Sequence, residues 1–472
     1  MRLPLSWALS TLLVFCQLVV SITPEGWENV QFDRIVDVRS TYTVETYELT
    51  AKNTGSEATT QYYLALPERV FQNLSMFTAA LHGVDAFLNC YVYDGETQLD
   101  DGVRLSYGII ELPSPVAPGK EVQIAAKVFY NEAGLPYPEH IPLNGDQQLR
   151  FQTQRQPLSP YFTEKSSLQV ISNTPVSEYD AKTDTLQELN KEGNAFVVDQ
   201  WENVSPFKVD ELDMVYKHNL PLKEVINLQR DIWVSHWAST VQFQEYYEMT
   251  NKGAKLDKGF SRLEYMKASQ NQMTQLGMTP FASLLEMNLP DESTEQFFTD
   301  KVGMVSTYEK LGSSLFLRPR FPIFGGWFYN FTIGWTNPLE NFVSSYPDDN
   351  EVFLLNVPLL NGPKDTVYDH ASISIFLPEN AELLDTGVPI PLETVSVDTE
   401  FSYFDFGTGH TKVTFQFKNL FTDMNKAEIL VKYRFTKNSL FRKPITIAGY
   451  FFALLMSFFV LKSINLKVTS EN

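Results

Sequence analysis

The sequence has only two cysteines in 472 residues. That is too few for a disulfide scaffold, a Cys-rich zinc site or an iron–sulfur cluster. Its six histidines, His82, His140, His218, His236, His370 and His410, are scattered with no pair at ligand spacing. Basic charge is short as well. Against 57 Asp and Glu stand 37 Lys and Arg, a formal charge of −20, so the positive field that nucleic-acid binding requires is missing. H-E-x-x-H, the nucleophile elbow G-x-S-x-G and the phosphate loop G-x-x-x-x-G-K-[ST] do not occur. Acidic neighbours exist at Asp100-Asp101 and Asp348-Asp349, but in turn-like polar stretches where carboxylates are ordinarily solvated. No catalytic residue, metal ligand or cofactor is expected.

The two ends of the chain set its compartment. Arg2 precedes an apolar run through Leu12, Leu13, Val14, Phe15, Leu18, Val19 and Val20, then Ser21, the pattern of a secretory signal peptide over 1–21. An uncleaved anchor is the competing reading, which the short run and the lack of a stop-transfer flank disfavour. Cleavage would remove Cys16 and leave Cys90 as the one thiol, most simply a small buried hydrophobe. Near the other end, 445–461 is an uncharged stretch of 17 residues, about 25 Å as a helix and close to the thinner bilayers. Arg442 and Lys443 precede it and Lys462 follows, placed to snorkel to headgroups. The expected topology is single-pass type I, with the body in the lumen and about ten residues in the cytosol. Residues 429–472 carry +6 and residues 1–21 carry +1, so the body between holds −27. An acidic head on a basic collar suits lumenal solubility and contact with anionic headgroups. The collar lies on the lumenal side, against the positive-inside preference, which a large domain already translocating overrides.

Three N-glycosylation triplets fit a lumenal body: Asn73-Leu-Ser75, Asn203-Val-Ser205 and Asn330-Phe-Thr332. In the span, Gly449, Ala453 and Ser457 recur every fourth residue and place three small side chains on one helix face, where another helix can approach.

Between the ends, strand patterns dominate. EVQIAAKVFY (121–130), ASISIFL (371–377) and TKVTFQFK (411–418) alternate apolar and polar residues, the period of half-buried strands. Residues 258–275 offer the best helical period, and a weak one. The body also reads as duplicated. WENV occurs at 27–30 and 201–204, YELTAKN (47–53) recurs as YEMTNKG (247–253), and LALPER (64–69), MNLPDE (287–292) and IFLPEN (375–380) share a strand-then-turn phrase. Each half is expected to close on an alternating strand, EVQIAAKVFY in the first and AEILVKYRF (427–435) in the second. The expected fold is mainly β, with two tandem antiparallel β-sandwich-like lumenal domains at 22–205 and 206–440. A transmembrane helix at 444–462 and a tail at 463–472 follow, and an insertion near 253–280 marks the second copy.

Two clusters carry the densest aromatics. INLQRDIWVSHWAS (226–239) sets two tryptophans and a histidine around Arg230-Asp231, and RPRFPIFGGWFYNFTIGW (318–335) joins two arginines to prolines, glycines and a row of rings. Core packing explains each residue taken singly better than an interface does, although Trp, Tyr and Arg are also the residues of interface hot spots.

At these clusters the chain resembles a known family. RDIWVSHWAS, KGFSRLEYM (258–266), DKVGMVSTY (300–308), RPRFPIFGGW (318–327) and the LPEN segment resemble ribophorin I, the alpha subunit of the oligosaccharyltransferase complex of the endoplasmic reticulum. GLPYPEHIPL (134–143) and WENV resemble its fungal members most. The resemblance implies membership of the complex that transfers a preassembled oligosaccharide from dolichyl pyrophosphate to Asn in nascent polypeptides. It implies a non-catalytic role, since the multi-span catalytic subunit carries a WWDYG motif that this chain lacks. It further implies that the subunit stabilises the complex and presents substrates, that its span packs against a small membrane subunit, and that Asn330 is the sequon most expected to be occupied. The ribosome-docking cytosolic domain of animal members is not expected here. The competing class is a free-standing, membrane-tethered lumenal chaperone or cargo receptor.

Overall fold

A computed structural model describes residues 24 and 26–464 apart from 85, 100–102, 273–277, 348 and 403–408. The expected signal peptide with Cys16, the Asp100-Asp101 pair, Asp348 and the tail beyond 464 lie outside the described residues. The body is mainly β, and its alternating segments behave as their period dictates. In the strand Glu121–Tyr130, Ile124, Ala126, Val128 and Tyr130 are buried between more exposed neighbours. Val413, Phe415 and Phe417 do the same in His410–Phe421, as do Ile373 and Ile375 in Thr366–Phe376.

Two large sheets repeat one strand arrangement. The first runs Asn190–Glu192, Ala195–Val204, Thr163–Ile171, Trp27–Asp37, Thr43–Asn53, Glu121–Tyr130, Leu74–Leu81. The second runs Thr394–Glu400, His410–Phe421, Thr366–Phe376, Lys223–Ser235, Thr240–Asn251, Phe328–Pro338, Thr294–Asp300, with the short Gly303–Met304 added at its edge. Strand for strand, the directions also agree. Each sheet is antiparallel except for one parallel pair, Trp27–Asp37 with Thr163–Ile171 and Lys223–Ser235 with Thr366–Phe376. Both parallel connections are long enough to carry further strands, as a parallel crossover requires.

The smaller sheets repeat too. Thr59–Pro67, Arg104–Val116 and Asn89–Gln98 match Leu285–Asn288, Ser314–Leu317 and Tyr308–Leu311 in order. The sheet Val176–Asp180, Glu211–Lys217, Gln148–Gln154, Leu135–Pro136, with Thr185–Glu188 added at its edge, matches Glu382–Gly387, Glu428–Arg434, Val352–Pro358, Val343–Ser345. The helix Arg262–Gln272 falls between Thr240–Asn251 and Leu285–Asn288, where the first copy has only a short connection.

This order corrects several of the sequence alignments. The two WENV segments are not counterparts, because they lie in Trp27–Asp37 and Ala195–Val204 of the same sheet. The counterpart of Glu428–Arg434 is Glu211–Lys217, not Glu121–Tyr130. Since Glu211–Lys217 pairs with Gln148–Gln154 and Val176–Asp180, the strands of the first copy run past the expected limit at 205. LALPER and MNLPDE do end matching strands, whereas IFLPEN ends Thr366–Phe376, whose mate is Thr163–Ile171.

Each copy has its own apolar core, and the two meet along a mixed seam. Tyr42 and Phe129 of the first copy stack on Phe421 of the second, with ring centroids 4.3 and 5.4 Å away. Asn131 Nδ2 donates to Leu420 O at 3.0 Å, and Ser75 Oγ donates to Asn419 O. Asn419, with φ of 53°, returns its amide to Gln72 O and Leu74 O. Gln147 ties the junction, donating to His218 O and Leu220 O and accepting from Ala254 N. Buried backbone polar groups are thereby paired across the seam, which makes parting the copies expensive.

The last body strand, Glu428–Arg434, passes through Phe435 and Thr436 directly into the helix Lys437–Ser463. Thr436 caps it by accepting from Ser439 N, and Arg442 Nη1 donates to Asn380 Oδ1 at 2.7 Å. The helix is long and apolar enough to cross a membrane, and its apolar part stands clear of the body.

Candidate functional site

The two aromatic clusters come together, because Lys223–Ser235 and Phe328–Pro338 both pair with Thr240–Asn251. Alternation then sorts their side chains. Ile232, Val234, Tyr329, Phe331, Ile333 and Trp335 face the core, and Arg230 is buried beside Phe243. Trp233 points to the other face and stacks on Phe376, rings 3.9 Å apart and 3° from parallel. Half of the 318–335 cluster is core, with Arg318, Arg320, Phe321, Gly326 and Phe328 exposed. Gly325 has a packing reason: a Cβ there would lie 2.1 Å from Ala254 O and 2.3 Å from Gly253 O.

Where the first cluster leaves the sheet, a groove of about 840 Å³ opens between the body and the start of the C-terminal helix. Trp233, Trp237, Phe297 and Trp335 wall one side, and Phe435, Leu440, Pro444 and Ile447 the other. His236 lies between them. Its Nε2 is 2.7 Å from Tyr433 Oη, and its ring packs on Phe353 and Phe435 at 4.6 and 4.8 Å. Burial lowers its pKa to about 4, so the imidazole is neutral at pH 7, and Glu295 and Glu379 are the carboxylates on the groove's lining. Such a lining can hold apolar or aromatic matter. The sequence marked Trp233, His236 and Trp237; it gave no sign that Phe297, Phe435, Leu440 and Pro444 complete the wall, since they converge only through the sheet order.

Each copy also holds a buried Arg–Glu pair. Arg34 grips Glu45 with two parallel bonds, Nε to Oε2 at 2.8 Å and Nη2 to Oε1 at 2.9 Å, and Tyr47 and Tyr130 donate to the same carboxylate. In the second copy Arg230 Nη1 lies 2.8 Å from Glu245 Oε1, both wholly buried and out of hydrogen-bond alignment. The buried asparagines Asn53 and Asn251 close matching strands. Each accepts from the glycine two residues on, Gly55 or Gly253, and donates to two backbone carbonyls.

The expected modification and packing residues are dispersed. Asn330 is half-buried on its strand, its Nδ2 3.1 Å from Tyr246 Oη. Asn73 follows a short helix and donates to Arg69 O, while its sequon serine, Ser75, is buried in the seam. Asn203 is exposed, with φ of 56°. Gly449, Ala453 and Ser457 share one exposed helix face, and Ser457 Oγ donates to Ala453 O. Cys90 is half-buried on Asn89–Gln98, and burial pushes its thiol up to about 11, which leaves it protonated and unreactive. Among the described residues, no three His, Cys, Asp or Glu side chains gather as a metal site would need.

The family model described as Ribophorin I matches residues 27–462. Similar curated proteins carry one name. Dolichyl-diphosphooligosaccharide–protein glycosyltransferase subunit 1A of Arabidopsis thaliana is 26% identical over 474 residues, covering 98% of this chain and 74% of that one. Subunit 1 of Schizosaccharomyces pombe is 25% identical over 435 residues, covering 89% and 92%. Subunit 1 of Caenorhabditis elegans is 23% identical over 453 residues, covering 95% and 74%.

Proposed function

Given that the chain belongs to the ribophorin I family, which its match over 27–462 shows, we propose that it is a non-catalytic subunit of the oligosaccharyltransferase complex of the endoplasmic reticulum. In this reading the body lies in the lumen, the C-terminal helix spans the membrane once, and catalysis belongs to a multi-span subunit. The chain stabilises the assembly and presents nascent polypeptides to it, with a small membrane subunit packed against its helix. A polyprenyl pyrophosphate donor must be gripped within the bilayer, and a single helix cannot enclose it.

The observation that carries this reading is mechanical. Two copies of one β arrangement are locked at a polar and aromatic seam, and the last strand of the second runs with only two intervening residues into the apolar helix. Load on the body is therefore passed to the membrane without a slack linker, as a brace requires. Two measurements test it. Blue-native electrophoresis in mild detergent is expected to show the chain in a large assembly with the catalytic subunit; migration as a monomer would favour a tethered chaperone or cargo receptor using the aromatic groove. Depletion is expected to lower sequon occupancy on some substrates, and unchanged occupancy on all would overturn the proposal.

A further inference from the structure

The turn between Lys223–Ser235 and Thr240–Asn251 presents a tryptophan that the fold does not use. Trp237 is 77% exposed, whereas its neighbour His236 is held inward by Tyr433, Phe353 and Phe435. The turn is closed by Ala238 N donating to Ser235 Oγ and by the left-handed Ser239, whose carbonyl accepts from Leu339 N. Trp237 is thus displayed from a fixed support rather than from a loose loop.

The support is also the entry to the membrane. Tyr433 and Phe435 immediately precede the cap Thr436, so His236 pins the turn to the segment that becomes the helix. Trp237 lines the same groove as Pro444 and Ile447, and Ile447 lies inside the uncharged stretch 445–461. The indole therefore stands at the level where the helix enters the hydrocarbon. Indole rings favour that boundary, with an apolar body and one N–H for the headgroup zone. In sequence, Arg434, Lys437 and Arg442 flank the entry to the helix, and at that level basic side chains offer positive charge to phosphates.

We propose that the turn 236–239 is a second membrane contact, with the Trp237 indole seated among phospholipid headgroups and upper acyl chains on the body's side of the bilayer. One helix can tilt in the bilayer and carry the body with it; a second contact beside it fixes the tilt. The proposal rests on the C-terminal helix as a span and not on complex membership, so each can fail without the other.

The test is fluorescence quenching of the full chain in phosphatidylcholine nanodiscs whose lipids carry bromine near the top of the acyl chains. Trp237→Phe in the chain beginning at residue 22 is expected to lower the lipid-quenchable fraction of tryptophan emission roughly twofold or more, since Trp7 is then absent and the remaining indoles lie in the body. Trp201→Phe, a half-buried indole in the first copy, serves as control and is expected to leave that fraction unchanged. Because Trp237 is exposed, thermal unfolding of its variant should match the parent. Equal quenching of parent and Trp237→Phe, or none in either, would place the turn against water or protein and overturn the proposal.

Discussion

Arg230 stands directly opposite Glu245 across neighbouring strands, both fully buried and 2.8 Å apart. In the first copy the corresponding arginine, Arg34, stands opposite Tyr47 and reaches diagonally to Glu45. The glutamate has moved one pleat along its strand while the arginine stayed. The consequence is electrostatic. Burial alone would raise Glu45, but the charge and paired bonds of Arg34, with two tyrosine donors, hold it below the usual carboxylate range. For Glu245 burial prevails, and its pKa is raised despite Arg230 and Tyr247. Glu45→Gln should therefore cost about 3–5 kcal/mol, the expected loss for a well-bonded buried pair, and Glu245→Gln less than about half of that. Urea unfolding of the purified full chain checks the order; equal losses would contradict it.

The same one-pleat shift shows what the sequence could and could not reveal. YELTAKN and YEMTNKG align in letters with Tyr47 on Tyr247, yet the register places Tyr47 against Glu245 and Asn53 against Asn251. A slip of two residues keeps each side chain on its face, so duplication was legible from period and wording while the true register was not. The β content, the apolar helix and the insertion were likewise visible in local pattern. The strand order, the closing strand of each copy and the far wall of the groove depend on pairings between distant segments, which local pattern does not encode.

His236 should make the body acid-sensitive. Its folded pKa of about 4 lies below the ordinary value near 6.5, so between these the unfolded chain binds the proton and the folded chain resists it. Stability is thus full above about pH 6.5 and falls as pH drops toward 4, by up to about 2 kcal/mol for this partly exposed ring. His236→Gln keeps a polar partner for Tyr433 without the titration, and should flatten that part of the profile. An unchanged slope would assign the acid sensitivity elsewhere.

Gly325→Ala should destabilise by about 3 kcal/mol or more, because the new methyl meets backbone carbonyls of Gly253 and Ala254 that cannot step aside. Gly449→Ala has nothing within 4 Å to meet and should be neutral, or stabilising by about 0.5–1 kcal/mol from helix propensity. Thermal unfolding of the two variants of the isolated chain gives the comparison.

The three sequons should separate by gel mobility. Asn203 is exposed at a strand end, and Asn330 is half-buried on its strand, so Asn203→Gln and Asn330→Gln are each expected to remove one glycan increment. Asn73 bonds to Arg69 O, and its sequon partner Ser75 seals the seam between the copies, so Asn73→Gln should change nothing. A shift on losing Asn73, or none on losing the other two, would refute the assignment.

Gly449, Ala453 and Ser457 form a small-residue face on a helix that the body leaves uncovered. The Ser457 hydroxyl is satisfied within the helix by Ala453 O, so it adds no polar grip, and any association there rests on close backbone approach. Leucine at 449 and 453 would fill that approach while leaving the helix apolar and inserted. The double variant should reach the membrane normally, retain the unfolding temperature of the body, and lose co-purifying membrane subunits in mild detergent. Full recovery of those subunits would mean that the body, rather than this helix face, holds the chain in its assembly.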